Sequence, residues 1–221
     1  MSGSMPPGPR RAARRSSWRA TTFASLDFET TGLDYRRDEI VSFGAVPVAA
    51  GRVVVRDAVY QLVAPSVPVS PASVRIHQLL PGELSVAPTL DEARASLAAA
   101  LGGRFVLAWF AELEIAFLAR IFGTAGRVWR RRTVDVRALT IALDGSSVES
   151  RMTLTASAER FGVPVASPHD ALDDALVTAQ LFLVVAARLE RAGAGDVRDL
   201  IRLTRGGRAG RELERRVRTA V

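Results

Sequence analysis

An apolar run ending in two acids separated by a single residue constrains this chain more than any other feature. The stretch Phe23–Asp34 reads F-A-S-L-D-F-E-T-T-G-L-D. Its apolar part predicts a β-strand over Thr22–Asp27, and in extended chain residues i and i+2 point to one face. Asp27 and Glu29 then project side by side, with Leu26 and Phe28 on the opposite face. Two carboxylates held that close repel each other unless positive charge sits between them. A hard divalent cation such as Mg²⁺ or Mn²⁺ suits an oxygen-only site of this kind. The alternative is an edge strand with two solvated acids, which the surrounding apolar residues disfavour.

Composition narrows the rest. The 221 residues suit one domain with tails and contain no cysteine, which excludes disulfides, thiolate metal sites and cysteine nucleophiles. No run approaches the roughly 20 apolar residues of a membrane span. The arginine-rich start lacks the apolar core of a secretory signal, so a cytoplasmic protein with no membrane contact is the default expectation. The net charge of +7 is uneven: residues 1–19 carry five arginines and no acid, and residues 202–221 carry seven arginines against Glu212 and Glu214. The body between them is therefore slightly acidic. Basic ends on an acidic body suit an acidic metal site with arms that hold a polyanion. They equally suit solubilising tails. The cluster Arg127 and Arg130–Arg132 lies between predicted elements and is the better phosphate-binding candidate, with a solvated loop as its plain alternative.

Residues 1–20, rich in Pro, Gly, Ser and Arg, read as a disordered N-terminal arm, residues 21–192 as the domain and 193–221 as a basic helical tail. Strands over Asp38–Val48 and Arg52–Val63 complete an antiparallel meander that Pro65, Pro68 and Pro71 then break, before a short segment over Ser73–Leu80. Thr89, with Glu92 three residues on, forms a capping box that opens a helix to Leu101. A strand over Arg104–Trp109, a helix over Ala111–Phe122 and a strand over Thr133–Ala138 follow. Helices over Leu154–Phe161 and Asp170–Ala192 come next; Leu181–Ala187, apolar all round, reads as core. Val197–Thr204 and Glu212–Val217 are expected as tail helices. This order predicts an α/β fold, a mixed five-stranded sheet flanked by helices with strand one central.

Two-metal phosphoryl chemistry needs carboxylates from several elements and a base for the attacking water. The segment Ser167–Ala175, S-P-H-D-A-L-D-D-A, offers His169 just before a helix and Asp174 one turn into it. Histidine is the side chain suited to proton transfer near neutral pH. A histidine beside a helix N-terminus is also a common surface residue, and Asp170 and Asp173 read as caps.

With both motifs in view, the chain resembles the DEDDh-type 3′–5′ exonucleases, the family of the bacterial DNA polymerase III epsilon proofreading subunit, ribonuclease T and oligoribonuclease. L-D-F-E-T-T-G-L-D resembles the family's first motif, which implies metal-ligand roles for Asp27 and Glu29. H-D-A-L-D-D-A resembles the third, implying His169 as general base and Asp174 as a further ligand. Ile76-His77 followed by Ala87-Pro88-Thr89 is similar to a connecting segment of the family, and Thr133-Val134-Asp135 to its fifth strand. The resemblance implies a ribonuclease H-like three-layer sandwich and two divalent cations, Mg²⁺ or Mn²⁺. It implies hydrolysis that releases nucleoside 5′-monophosphates from the 3′ end of single-stranded or frayed DNA, with RNA as a possible substrate and a DNA polymerase as a possible partner. Thr30, Thr31 and Gly32 would lie beside the terminal nucleotide; their plain reading is a turn after strand one.

The second motif departs. The family has a strand ending in Ala-His-Asn, then an aspartate early in the next helix, whereas here Ala108 is followed by Trp109-Phe110 and Glu114 takes the place of the aspartate. Glutamate keeps the charge and adds one methylene, about 1.5 Å of reach. Three readings stand side by side: Glu114 holds the second metal, Glu112 shares that work, or the domain binds nucleic-acid ends and cuts them poorly. Trp109 and Phe110 offer a stacking surface for bases or, as aromatics at a strand end more often do, belong to the core.

Overall fold

The structure, a computed structural model, describes residues 5–8, 16–144 and 152–220. Arg10, Arg11, Arg14 and Arg15 of the expected arm lie outside the described residues.

The central strand β1 spans Phe23–Thr30, three residues beyond the predicted end, and so includes Glu29. It pairs antiparallel with β2 (Ile40–Ala49), with Asp27 opposite Gly44. On its other side it pairs parallel with β5 (Phe105–Ala108), which in turn pairs parallel with β6 (Thr133–Asp135). The outer edge of β2 is covered by two short strands, β3 (Arg52–Val53) and β4 (Val59–Leu62), where one was expected, so the sheet has six strands rather than five. A 3₁₀ turn over Val55–Asp57 divides them. The register places Val48 opposite Val53 but Ala45 opposite Val59, where uninterrupted pairing would place Arg56. An odd shift exchanges the two faces of a strand. Val53 accordingly packs on one side of the sheet and Val59 on the other.

Helices cover both faces. Ala24, Leu26 and Phe28 of β1 pack against α3 (Leu90–Leu101) and α4 (Ala111–Ile121). Phe23 on the opposite face packs against α8 (Ala171–Arg191), whose Leu181, Phe182, Val185 and Ala186 are fully buried. Leu181–Ala187 is thus a core segment, and no helix among the described residues is long and apolar enough to cross a membrane. The capping box at Thr89 forms: Glu92 accepts from the Thr89 N–H at 2.8 Å. Short helices α1 (Pro71–His77) and α2 (Pro81–Leu84) follow the prolines, each starting on one, where only a single segment was predicted. Helix α5 (Gly126–Arg130) takes up part of the Arg127–Arg132 cluster, which no predicted element covered.

The predicted strand over Thr133–Ala138 ends early. Asp135 accepts from the N–H groups of Ala138 and Ala111, at 2.8 and 3.2 Å, and so caps both α6 (Val136–Asp144) and α4. The helix predicted over Leu154–Phe161 is α7 (Leu154–Arg160). The tail forms two longer helices than expected, α9 (Val197–Arg205) and α10 (Gly207–Ala220). Residues 16–20, assigned to a disordered arm, are folded. Trp18 is buried edge-on against Phe182, its backbone N–H donates to the Gly195 carbonyl, and the Ser16 carbonyl accepts from Val197 N–H. A buried tryptophan outweighs the local polarity that suggested disorder. Arg132 is also structural: its buried guanidinium donates to the carbonyls of Leu101 and Arg104 at 3.0 and 2.8 Å. Burial lowers its pKa to about 10.

Candidate active site

The acids meet at the C-terminal end of β1. Carboxylate oxygens of Asp27, Glu29 and Asp174 lie within 4.8 Å of one another. Asp27 and Glu29 share a face because β1 stays extended through both. Asp174 reaches them because Asp170 caps α8, accepting from the N–H groups of Leu172 and Asp173 at 3.0 Å, which sets Asp174 in the first turn. The approach of α8 depends on Gly44, a residue with no obvious role in the sequence. A Cβ at Gly44 would stand 2.1 Å from the Ala171 carbonyl oxygen. Only glycine lets the helix lie directly on the strand beside Asp27.

Burial leaves the acids at this site poorly stabilised as anions. Burial raises the Asp27 pKa well above the usual carboxylate range, and Glu114, Glu29, Asp174 and Asp170 add to the effect in that order. Burial, then Asp174 and Asp170, push Glu29 up to about 8. Glu114, only 4% exposed, is also pushed up to about 8, by burial and then by Asp135. Its Oε2 is buried without a hydrogen-bond partner. An orphaned carboxylate oxygen beside three converging acids, all hard oxygen donors, fits a divalent cation of the Mg²⁺ or Mn²⁺ type. Glu114 stands outside the tight trio yet close enough to raise Asp27. Glu112 does not share the site: it is exposed and paired with Arg130.

His169 borders the same cavity, about 530 Å³ in volume, together with Asp27, Glu29, Asp174, Thr30 and Gly32. Its imidazole is exposed, its backbone takes φ +66°, and its backbone N–H donates to Asp174 Oδ2 at 3.2 Å. A left-handed backbone at a non-glycine residue costs about 1–2 kcal/mol. Here it turns the chain so that His169 and Asp174 face one opening.

Thr31 does not belong to the cavity wall. It is 1% exposed; its hydroxyl donates to Asp38 Oδ1 at 2.9 Å, and its carbonyl accepts from Ser70 N–H and Ser73 Oγ. Gly32 lines the cavity, but its lack of a side chain serves Asp38, whose carboxylate would lie 2.4 Å from a Cβ there. Asp38 and Arg120, which donates to the Tyr35 carbonyl at 2.8 Å, fasten the loop after β1. Other wall residues were missed at the sequence level, among them Ser70, Ser73, His77 and Leu113. Of these only His77 had a signal, its place in the Ile76-His77 segment. It is buried, its Nδ1 accepts from Leu79 N–H at 3.0 Å, and burial lowers its pKa. Of the aromatic pair, Trp109 packs with the core while Phe110 is 52% exposed.

A six-stranded mixed sheet between helical layers, with acids and a histidine gathered at one strand end, defines a ribonuclease H-like α/β protein. The chain belongs to the exonuclease family of RNase T type, which matches residues 25–182, and within it to the DEDDh-type 3′–5′ exonucleases, with a variant second motif. It is 33% identical over 186 residues to the PolC-type DNA polymerase III of Thermotoga petrophila, covering 83% of this chain and 13% of that protein. It is 26% identical to the DNA polymerase III epsilon subunit of Aquifex aeolicus, covering 91% of this chain and 99% of that one. The chain thus spans only a small part of the PolC-type relatives, 13% and 14% of the first two. Among solved structures it is similar to exonuclease X in complex with 5′ overhanging duplex DNA, with TM-score 0.59 and 21% identity over 75% of this chain and 91% of that one. It is likewise similar to E. coli exonuclease I with a dT13 oligonucleotide, with TM-score 0.64 and 18% identity over 77% and 42% of the two chains.

Proposed function

We propose that the protein hydrolyses the terminal phosphodiester at the 3′ end of single-stranded or frayed DNA and releases nucleoside 5′-monophosphates. The observation that carries this reading is the convergence of Asp27, Glu29 and Asp174 oxygens within 4.8 Å, in a cavity that His169 also borders. Asp27, Glu29 and Asp174 would hold one divalent cation, Mg²⁺ or Mn²⁺, and Glu114 with Asp27 a second. Such cations supply a water nucleophile at neutral pH and neutralise charge on the reacting phosphate and leaving oxygen. His169 accepts the proton of the attacking water on an imidazole nitrogen, and its backbone N–H holds Asp174 in place. Thr30 and Gly32 bound the space for the terminal nucleotide; Thr31 acts behind them, by fixing the loop through Asp38. Kinship with the epsilon subunit and PolC-type polymerases supports work beside a replicative DNA polymerase in the cytoplasm.

The second reading, a module that binds nucleic-acid ends and cuts them weakly, is favoured by one observation: Glu114 stands outside the close trio of acids. One experiment separates the two. A 3′-labelled single-stranded DNA or RNA oligonucleotide is incubated with Mg²⁺, Mn²⁺ or EDTA, alongside the Asp27→Ala and Glu114→Ala variants. Metal-dependent release of mononucleotides from DNA, lost in both variants, is the expected result. Retained binding without release under any metal supports the weakened module. Preferential release from RNA would make the substrate RNA.

A further inference from the structure

A second cavity, about 600 Å³, adjoins the first and shares Leu33 and Leu113 with it. Its wall includes Tyr35, Phe110 and Arg130. Leu33, Tyr35 and Phe110 are 82%, 48% and 52% exposed, an unusual concentration of large apolar side chains on one surface. A groove of this kind opening from a hydrolytic cavity continues the path of whatever enters that cavity.

Beyond the groove the charge turns basic. Residues 123–134 and 200–211 contain eight arginines and no acid. The two segments meet: Arg205 of α9 donates to the Arg130 carbonyl at 2.7 Å. Arg131 lies close enough that its charge, after burial, lowers the Arg205 pKa. Arg127 and Arg131 are exposed. Arg130 pairs with Glu112, Arg202 pairs with Asp199 and Arg132 is buried, so Arg127, Arg131 and Arg205 are the guanidinium groups gathered here that suit an anion, and arginine is suited to phosphate. Helix α9 lies outside the residues matched by the exonuclease family, so the part Arg205 plays in this arrangement comes from the tail. Flat apolar rings followed by arginines match one occupant, a single strand, whose bases and phosphates present the two chemistries in parallel.

We propose that the groove and these arginines form an upstream strand-binding surface: Tyr35 and Phe110 stack on bases, and Arg127, Arg131 and Arg205 hold the phosphates of a strand whose 3′ end lies in the carboxylate cavity. The proposal rests on the exonuclease reading above, and its test does not use turnover. Binding of 5′-fluorescein oligothymidylates, from two to about 12 nucleotides, is followed by anisotropy with the full chain carrying Asp27→Asn. Affinity is expected to rise with length, as the strand reaches groove and arginines, and then level off. Phe110→Ala, and separately Arg127→Glu with Arg131→Glu, should each lower affinity for the longest strand about tenfold while leaving the dinucleotide unchanged. The arginine variant should also reduce the slope of log affinity against log salt by about 0.7 for each phosphate that no longer meets an arginine. Oligouridylates should follow the same pattern, since the surface meets phosphates and ring faces.

Equal affinity of variants and parent at every length would overturn the proposal. So would equal loss at all lengths, or displacement of the strand by polyglutamate as readily as by an oligothymidylate of matching charge. Length-dependent binding that the variants abolish, in a parent protein that releases no nucleotide under any metal, would sink the exonuclease reading and leave the strand surface standing.

Discussion

Burial and neighbouring acids disfavour the charged forms of Asp27, Glu29 and Glu114, so their substitution should separate activity from stability. In Asp27→Asn, nucleotide release is expected to fall by at least about a thousandfold, as loss of several kcal/mol of transition-state stabilisation requires. The melting temperature should hold or rise, because a buried repelling charge is gone. Loss of both activity and folding would contradict this. His169 tests a different separation. Asparagine tolerates the left-handed backbone found there, so His169→Asn should stay within about 1 kcal/mol of the parent in urea unfolding. Its nucleotide release should drop about 10²–10⁴-fold, the range for a lost general base.

At the scale of elements, the placement of α8 on β2 decides whether the third-motif acid reaches the other two. Gly44→Ala would push a methyl into the Ala171 carbonyl, 2.1 Å away. The expected cost is about 1–3 kcal/mol of overpacking, together with reduced nucleotide release, because Asp174 moves with the helix. Denaturant titration and the release assay read the two effects separately. Thr89→Ala provides the contrast. Removing the N-cap of α3 should cost about 1 kcal/mol and leave release unchanged, since α3 contributes nothing to the cavity wall.

For the whole molecule, the raised carboxyls couple stability to pH. Glu29 and Glu114 rise from an ordinary 4.5 to about 8 in the folded state. Near and below pH 4.5 both folded and unfolded chains hold these protons, and the folded state keeps its full advantage. As pH climbs towards about 8, the unfolded chain releases its protons first and gains relative to the folded one. In EDTA the melting temperature should therefore fall between about pH 5 and pH 8, by about 2–8 °C for a loss of 1–2 kcal/mol in a chain of this size. Excess Mg²⁺ or Mn²⁺ should restore it, and a Glu29→Gln, Glu114→Gln variant should flatten the profile. Differential scanning fluorimetry measures all three. The N-terminal segment contributes at the same scale. Trp18→Ala should cost about 3–5 kcal/mol, far more than a disordered arm would permit.

Features set by neighbours in the chain were legible in the sequence. Alternation placed Asp27 and Glu29 on one face and Leu26 and Phe28 on the other, because side chains in a strand repeat every second residue. Thr89 with Glu92, and Asp170 ahead of Asp173, announced helix starts, because a cap is satisfied within one turn. The apolar run Leu181–Ala187 announced a core helix for a similar reason. What the tertiary structure alone decided involves partners distant in sequence, for which no local pattern exists. Gly44 serves a carbonyl in α8, Gly32 and Thr31 serve Asp38, and Trp18 fills a space against Phe182. The third strand divides because Val53 and Val59 pack on opposite faces of the sheet, a demand that comes from both helical layers at once. Arg205 reaches Arg130 across 75 residues of chain. A strand or a helix start is fixed by interactions a few residues apart, whereas the shape of the site depends on which distant surfaces fit together without a clash.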